Sequence, residues 1–223
     1  MSFFKQLQQQ TEQQRKNLFD APIIKRCMEG DICLGDYVAF LAQAYHHVKH
    51  TVPLMMAVGA RLPEEKEWLR SAVAEYIEEE LGHQEWILND IAACGYDKEK
   101  VRNSKPNFAT ELMVAYAYDT INRGNPLGFF GMVHVLEGTS VTTATQAADL
   151  IQKKLGLPKQ AFSYLLSHGS LDQEHVQFFE QLMNKIEAQN EQQAIIYGAK
   201  AFYQLYGDVF RSLNPEQSIA LAA

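Results

Sequence analysis

Cysteine is scarce in this chain, and the three that occur, Cys27, Cys33 and Cys94, lie far apart with no C-x-x-C pair. That excludes a zinc ribbon, offers no disulfide framework, and suits a reducing cytoplasm. Apolar runs are also short: none approaches the roughly 18 residues of a membrane span, and no membrane partner is expected. The opening stretch MSFFKQLQQQTEQQRK lacks the apolar centre of a signal peptide. There is no basic run, no aromatic–arginine platform and no glycine-rich phosphate loop. With 27 acidic against 20 basic residues and a net charge of −7, the surface has the wrong sign for nucleic acid. No repeat, low-complexity tract or linker divides the 223 residues, so one domain over 1–223 is expected.

What is present is apolar and helical. The apolar fraction is 47%, ample for a core, and nearly every segment repeats at helical rather than alternating period. The pattern predicts an all-α bundle of about eight helices. The first covers 2–18, and a short second is opened by Asp20-Ala-Pro and ended by Gly30. A third spans about 35–60 with a bend near Pro53, which cannot donate a backbone N–H. A fourth runs from Leu62-Pro63-Glu64-Glu65 to Gly95. After a loop over roughly 96–106 a fifth covers 108–123. Gly124-Asn125-Pro126 opens a sixth to about Leu155, Gly156-Leu157-Pro158 precedes a seventh to about 189, and an eighth fills about 191–213 before Asn214-Pro215.

The chemistry concentrates in three of these segments. In FSYLLSHGSLDQEHVQFFE, residues 162–180, His168, Asp172 and His175 stand at i, i+4 and i+7. A turn of about 100° per residue puts them within roughly 60° on one stripe. In EYIEEELGHQEWILND, residues 75–90, Glu80 and His83 have the Glu-x-x-His spacing of helical di-metal sites. Glu79 aligns with His83 at least as well, at about 40° against about 60°, so spacing leaves Glu79 and Glu80 both open. Glu137 stands alone among apolar and small residues in VHVLEGTS. Imidazole and carboxylate are donors that a divalent transition metal accepts. Three buried carboxylates would be costly without cations, whereas two divalent ions nearly neutralise them. Set singly, each segment also reads as a solvated polar face; together they favour a metal site.

Other histidines receive a blander reading. His46, His47 and His50 in QAYHHVKH surround Lys49 and have no carboxylate partner nearby, which favours a partly exposed helix face. Should one of them enter a cavity, His46 or His50 is expected before His47. His134, one turn before Glu137, is expected to be a hydrogen-bonded core histidine rather than part of the site.

The order Glu-x-x-His, a lone Glu, then His-x-x-x-Asp-x-x-His on an all-helical chain of this length resembles the haem-oxygenase-like di-iron oxidases, relatives of the TenA, PqqC and CADD proteins. In motif form it is most similar to the undecene-forming fatty-acid decarboxylase. The resemblance implies a haem-oxygenase-like bundle holding two Fe(II), with Mn or Zn as substitutes, on Glu80, His83, Glu137, His168, Asp172 and His175, with Glu137 bridging. It further implies O2 as co-substrate, oxidation of a C–H or C–N bond in a small, fatty-acid-like or amino-acid-like molecule, and a homodimer. Haem oxygenases ligate haem through a histidine near the N-terminus, whereas the first histidine here is His46. TenA thiaminases use a cysteine on the helix that corresponds to the one bearing Glu137, and none of the three cysteines lies there. A metal-free TenA-like or PqqC-like enzyme of thiamine or quinone metabolism is the main alternative, and a non-enzymatic helical interaction protein is a third. Met55, Met56, Phe129, Phe130 and Met132 would favour an apolar substrate.

Overall fold

The computed structural model describes residues 1–216, with residues 168–174 described by their backbone alone. Helices α1 (Phe3–Gln10), α2 (Glu12–Phe19) and α3 (Pro22–Met28) form the N-terminal part. Then follow α4 (Leu34–Val48), α5 (Thr51–Arg61), α6 (Glu67–Glu80) and α7 (His83–Ala93). A short α8 (Lys98–Arg102) precedes α9 (Phe108–Arg123), α10 (Phe130–Leu155), α11 (Ser163–Met183) and α12 (Gln189–Arg211). The all-α expectation holds, with no strand among the described residues. None of the helices there is long and apolar enough to cross a membrane.

The count is twelve α-helices among the described residues rather than about eight, because three predicted helices each split in two and the loop over 96–106 contains α8. Thr11 ends α1, with its buried hydroxyl donating back to the Leu7 carbonyl at 2.8 Å. The break expected as a bend near Pro53 falls a turn earlier, at Lys49–His50. Pro53 then sits in the first turn of α5, where a missing N–H costs nothing. Gly82 separates α6 from α7 with φ +89°, a left-handed conformation that suits glycine.

The buried side chains form two apolar clusters. One gathers α5, α6, α9, the first half of α10 and α12 around residues such as Leu54, Leu69 and Phe202. The other gathers α3, α4, α7 and the second half of α10 around Leu41, Leu88 and Ile151. The 26-residue α10 belongs to both and is the spine of the bundle. It crosses α12 at glycines. A Cβ added to Gly131 would overlap the backbone of Gly198 and Ala199, and one on Gly198 would overlap the Gly128 carbonyl.

The start of α11 is tied down by α7 and α4. The buried Asp90 carboxylate accepts from the backbone N–H of Ser163 at 3.0 Å and of Tyr164 at 2.9 Å, and from the Ser163 hydroxyl. It thereby caps α11 from another helix. Tyr37 Oη donates to the Ala161 carbonyl at 2.6 Å, and its ring stacks on Phe162.

The two histidines of α4 correct the expectation of a partly exposed face: His46 and His47 are both buried. His50, just before α5, is partly exposed as expected and pairs with the Tyr118 hydroxyl at 3.2 Å. Ser104 Oγ donates to the Val101 carbonyl, so at 2.9 Å from His46 Nε2 it accepts the ring N–H. Nδ1 then accepts from Lys49 Nζ at 3.3 Å. Burial first, and the charges of Lys49 and His50 second, push the His46 pKa down from 6.5 to about 4.

Gly131→Ala should lower stability by roughly 1–3 kcal/mol through overpacking of the α10–α12 crossing, read from urea unfolding; an unchanged midpoint would contradict the close approach. His46 makes a second prediction. Between pH 6.5 and about 4 the unfolded chain binds its proton and the folded chain does not, so the stability present above pH 6.5 is lost as pH falls toward 4. In His46→Gln the fall in melting temperature over that interval should be shallower than in the native chain. Equal slopes would assign the pH dependence elsewhere.

Candidate metal centre

Glu80 and His83 do not share one continuous helix as the spacing predicted. Glu80 is the last residue of α6 and His83 the first of α7, because the left-handed Gly82 turns the chain between them. The turn still brings them together: His83 Nδ1 lies 3.0 Å from Glu80 Oε2, with both side chains almost wholly enclosed. The His83 ring stacks on Trp86 with centroids 4.0 Å apart, which fixes its plane.

Glu137, on α10, faces inward with its side chain 11% exposed. Its Oε1 lies 4.0 Å from Nδ1 of His175, on α11. The other ring nitrogen of His175, Nε2, lies 2.8 Å from Oε2 of Glu79. The buried Tyr76 ring packs edge-on against the same imidazole at 5.7 Å. The two glutamates that spacing left open therefore have different surroundings. Glu80 is enclosed beside His83, whereas Glu79 reaches His175 from a side chain 55% exposed. The side chains of His168 and Asp172 lie outside the described residues.

Glu80 and Glu137 both line a large cavity at the seam between the two cores, about 1320 Å³ counted out to its mouth. Its walls are mostly apolar, with Met55, Phe129 and Met132 among them as the sequence foresaw. Phe130 is instead buried in the core, and Met56 is exposed. Hydroxyls on the α10 wall are turned to their own backbone: Thr139 donates to Val135, Thr143 to Thr139 and Ser140 to Glu137. Asp36, also on the wall, is held by the Arg26 guanidinium at 2.8 Å. Burial raises its pKa, but hydrogen bonds from Cys33 and Arg26 outweigh that and leave it below the usual carboxylate value.

His47 is the histidine of α4 that reaches the cavity, contrary to the expected order, and it packs edge-on against Tyr206. Sequence spacing held no signal for it, because which face of α4 turns inward depends on the break at Lys49–His50. Cys27 lines the cavity as well. Burial pushes its thiol up, with the Asp36 charge adding to the shift, so at neutral pH it is a protonated, weakly nucleophilic wall residue. His134 is buried as expected, between Phe179 and the edges of Phe4 and Tyr203. Its Nε2 nevertheless meets no hydrogen-bond partner among the described residues. Burial, then Arg15, lowers its pKa to about 4, so the ring is neutral.

The donor chemistry fits a divalent transition metal: enclosed carboxylates on the wall of a mostly apolar cavity, with imidazoles beside them. Among the described residues the donors meet as pairs, Glu80 with His83 and Glu137 with His175, and no group of three His, Cys, Asp or Glu stands at metal-holding spacing.

No curated protein matches the chain. Solved structures share its fold. A domain of unknown function with a heme oxygenase-like fold from Shewanella denitrificans superposes with TM-score 0.85 at 24% identity, over 100% of this chain and 97% of that one. A TenA homolog from Pseudomonas syringae gives 0.76 at 11% identity, covering 96% and 93%. Heme oxygenase-1 from the cyanobacterium Synechocystis, in complex with heme, gives 0.75 at 13% identity, covering 99% and 96%. The bundle is thus haem-oxygenase-like. The family model described as "Iron-containing redox enzyme" matches residues 38–207, well over half of the chain and all three elements that carry Glu80, Glu137 and His175, and the chain belongs to that family.

Proposed function

We propose that this chain is a non-haem di-iron oxidase that uses O2 to oxidise a small, largely apolar organic substrate in the large cavity. The observation that carries this reading is the placement of two enclosed carboxylates, Glu80 and Glu137, on the wall of a mostly apolar cavity, each with an imidazole beside it. Buried carboxylates are costly without a counter-charge, and two divalent cations would supply it. Glu80, His83, Glu137 and His175 would hold them together with His168 and Asp172. When bound, ferrous ions supply the electrons and coordination positions that O2 activation needs.

The chain's own residues do the rest. The Trp86 stack orients His83, and the Tyr76 ring orients His175. Apolar walls keep bulk water from the donors, and Glu80 and Glu137, placed on the cavity wall, bring the metal-binding end within reach of a bound molecule. Two observations weigh against neighbouring chemistries. The earliest histidine, His46, is engaged by Ser104 and Lys49, which disfavours axial ligation of haem by that residue. The one cavity cysteine, Cys27, is held as a thiol, which disfavours TenA-type nucleophilic catalysis. A homodimer is proposed with this reading, and its mass by light scattering tests it separately.

Anaerobic titration with Fe(II), followed by desalting and metal analysis, should give two irons per chain, as expected of a helical di-carboxylate site. His175→Ala and Glu137→Gln should each fall to one iron or fewer with helical content retained by circular dichroism. Native chain that retains one iron would overturn the di-iron reading, and chain that retains none would do so in favour of the metal-free alternative. Glu80→Gln and Glu79→Gln separate the two neighbours. The first should lose iron, at a cost of roughly 10- to 100-fold in affinity or more. The second should lose little, because the Glu79 side chain is more than half exposed.

A further inference from the structure

A second, smaller cavity, about 550 Å³ counted out to its mouth, lies on the other side of Glu137. Four helices contribute polar side chains to it: Gln8 from α1, Arg15 from α2, His134 from α10 and Tyr203 from α12. Arg15 is half-buried and has no ion-pair partner among the described residues. His134 is nine-tenths buried or more, and its Nε2 has no hydrogen-bond partner there. The Tyr203 phenol is pushed up to about 12 by burial, so it remains an O–H donor at neutral pH. Arg15 acts electrostatically on both rings, lowering the pKa of each, which places its positive charge within reach of the two.

An unpaired guanidinium, a phenol O–H, an amide and a neutral imidazole converging on one space form a donor set for an anion, and an arginine fork matches a carboxylate in particular. The remaining wall is mostly apolar, with Phe4, Val141, Val176 and Phe179; the Thr142 hydroxyl there already donates to the Gly138 carbonyl at 2.7 Å, and Gly138 leaves room, since a Cβ there would meet nothing within 4 Å. Such walls suit an organic body better than the further oxygens of a phosphate. Glu137, one turn after His134 on α10 and also lining this space, disfavours a second negative charge on the ligand.

We propose that this second cavity is a binding site for a short-chain monocarboxylate, whose carboxylate is held by Arg15 with Tyr203, Gln8 and His134 as supporting donors. The site stands on these side chains and requires neither metal nor the oxidase reading. Its place across Glu137 from the large cavity makes it distinct from the substrate site proposed above.

Calorimetric titration of the metal-free full chain with butyrate, at constant ionic strength, tests it. Saturable binding at one site per chain is expected, with inorganic phosphate binding at least several-fold more weakly. Arg15→Gln, a change at a half-buried position, should weaken butyrate by about tenfold or more, equivalent to roughly 1.4 kcal/mol. Arg15→Lys should recover only part of that, since a lysine lacks the fork. Tyr203→Phe, which keeps the ring, should weaken binding roughly threefold, as for a lost neutral hydrogen bond. Absence of saturation, equal binding by Arg15→Gln and the native chain, or phosphate binding as tight as butyrate would each overturn the proposal. The iron stoichiometry above is read without butyrate, so the two readings succeed or fail apart.

Discussion

The structure depends on carboxylates buried beside apolar surface. Glu80 and Glu137 sit where the two cores of the bundle meet, on the wall of a cavity that offers few other polar groups. An unpaired carboxylate there would cost several kcal/mol, so each must have a donor or a cation near it. His83 and His175 arrive at 3.0 and 4.0 Å from them, on helices that approach from different sides. Imidazole and carboxylate are donors that a divalent transition metal accepts, and the chain belongs to the family of iron-containing redox enzymes.

Holding these pairs together requires rigid supports away from them. The spine α10 is fixed against α12 where Gly131 and Gly198 allow backbones to touch, which sets the depth at which Glu137 enters the bundle. The start of α11 is fixed by Asp90 and Tyr37, which sets the register of His175. Gly82 does the same locally for α6 and α7, letting the chain turn so that His83 meets Glu80 across a helix break. The cavity stays apolar because the serine and threonine hydroxyls on its α10 wall are satisfied by backbone carbonyls one turn back.

The histidines illustrate how one residue type divides by environment. His46 is neutral, donating to Ser104 and accepting from Lys49. His47 lines the large cavity, His134 the smaller one, and His83 and His175 meet carboxylates. Exposure expected for the α4 group failed because lysine beside histidine suggests solvent, whereas Lys49 lies at the end of α4 and extends over the Tyr45 ring. The small cavity was invisible in the chain: Gln8, Arg15, His134 and Tyr203 are scattered over nearly two hundred positions, with no spacing that relates them.

The amino-acid sequence by itself determined the helical class, most helix boundaries and the residue types at the candidate centre. Apolar periodicity, proline, glycine and caps act over a few residues, so their meaning survives without a partner. Only the tertiary structure decided that Glu80 meets His83 and Glu79 meets His175, that His47 rather than His46 faces the cavity, and that Glu137 stands between two spaces. Those outcomes depend on the direction each helix takes after a break. A rotation of one residue's 100° there turns a side chain from core to solvent, and packing between distant elements chooses that rotation.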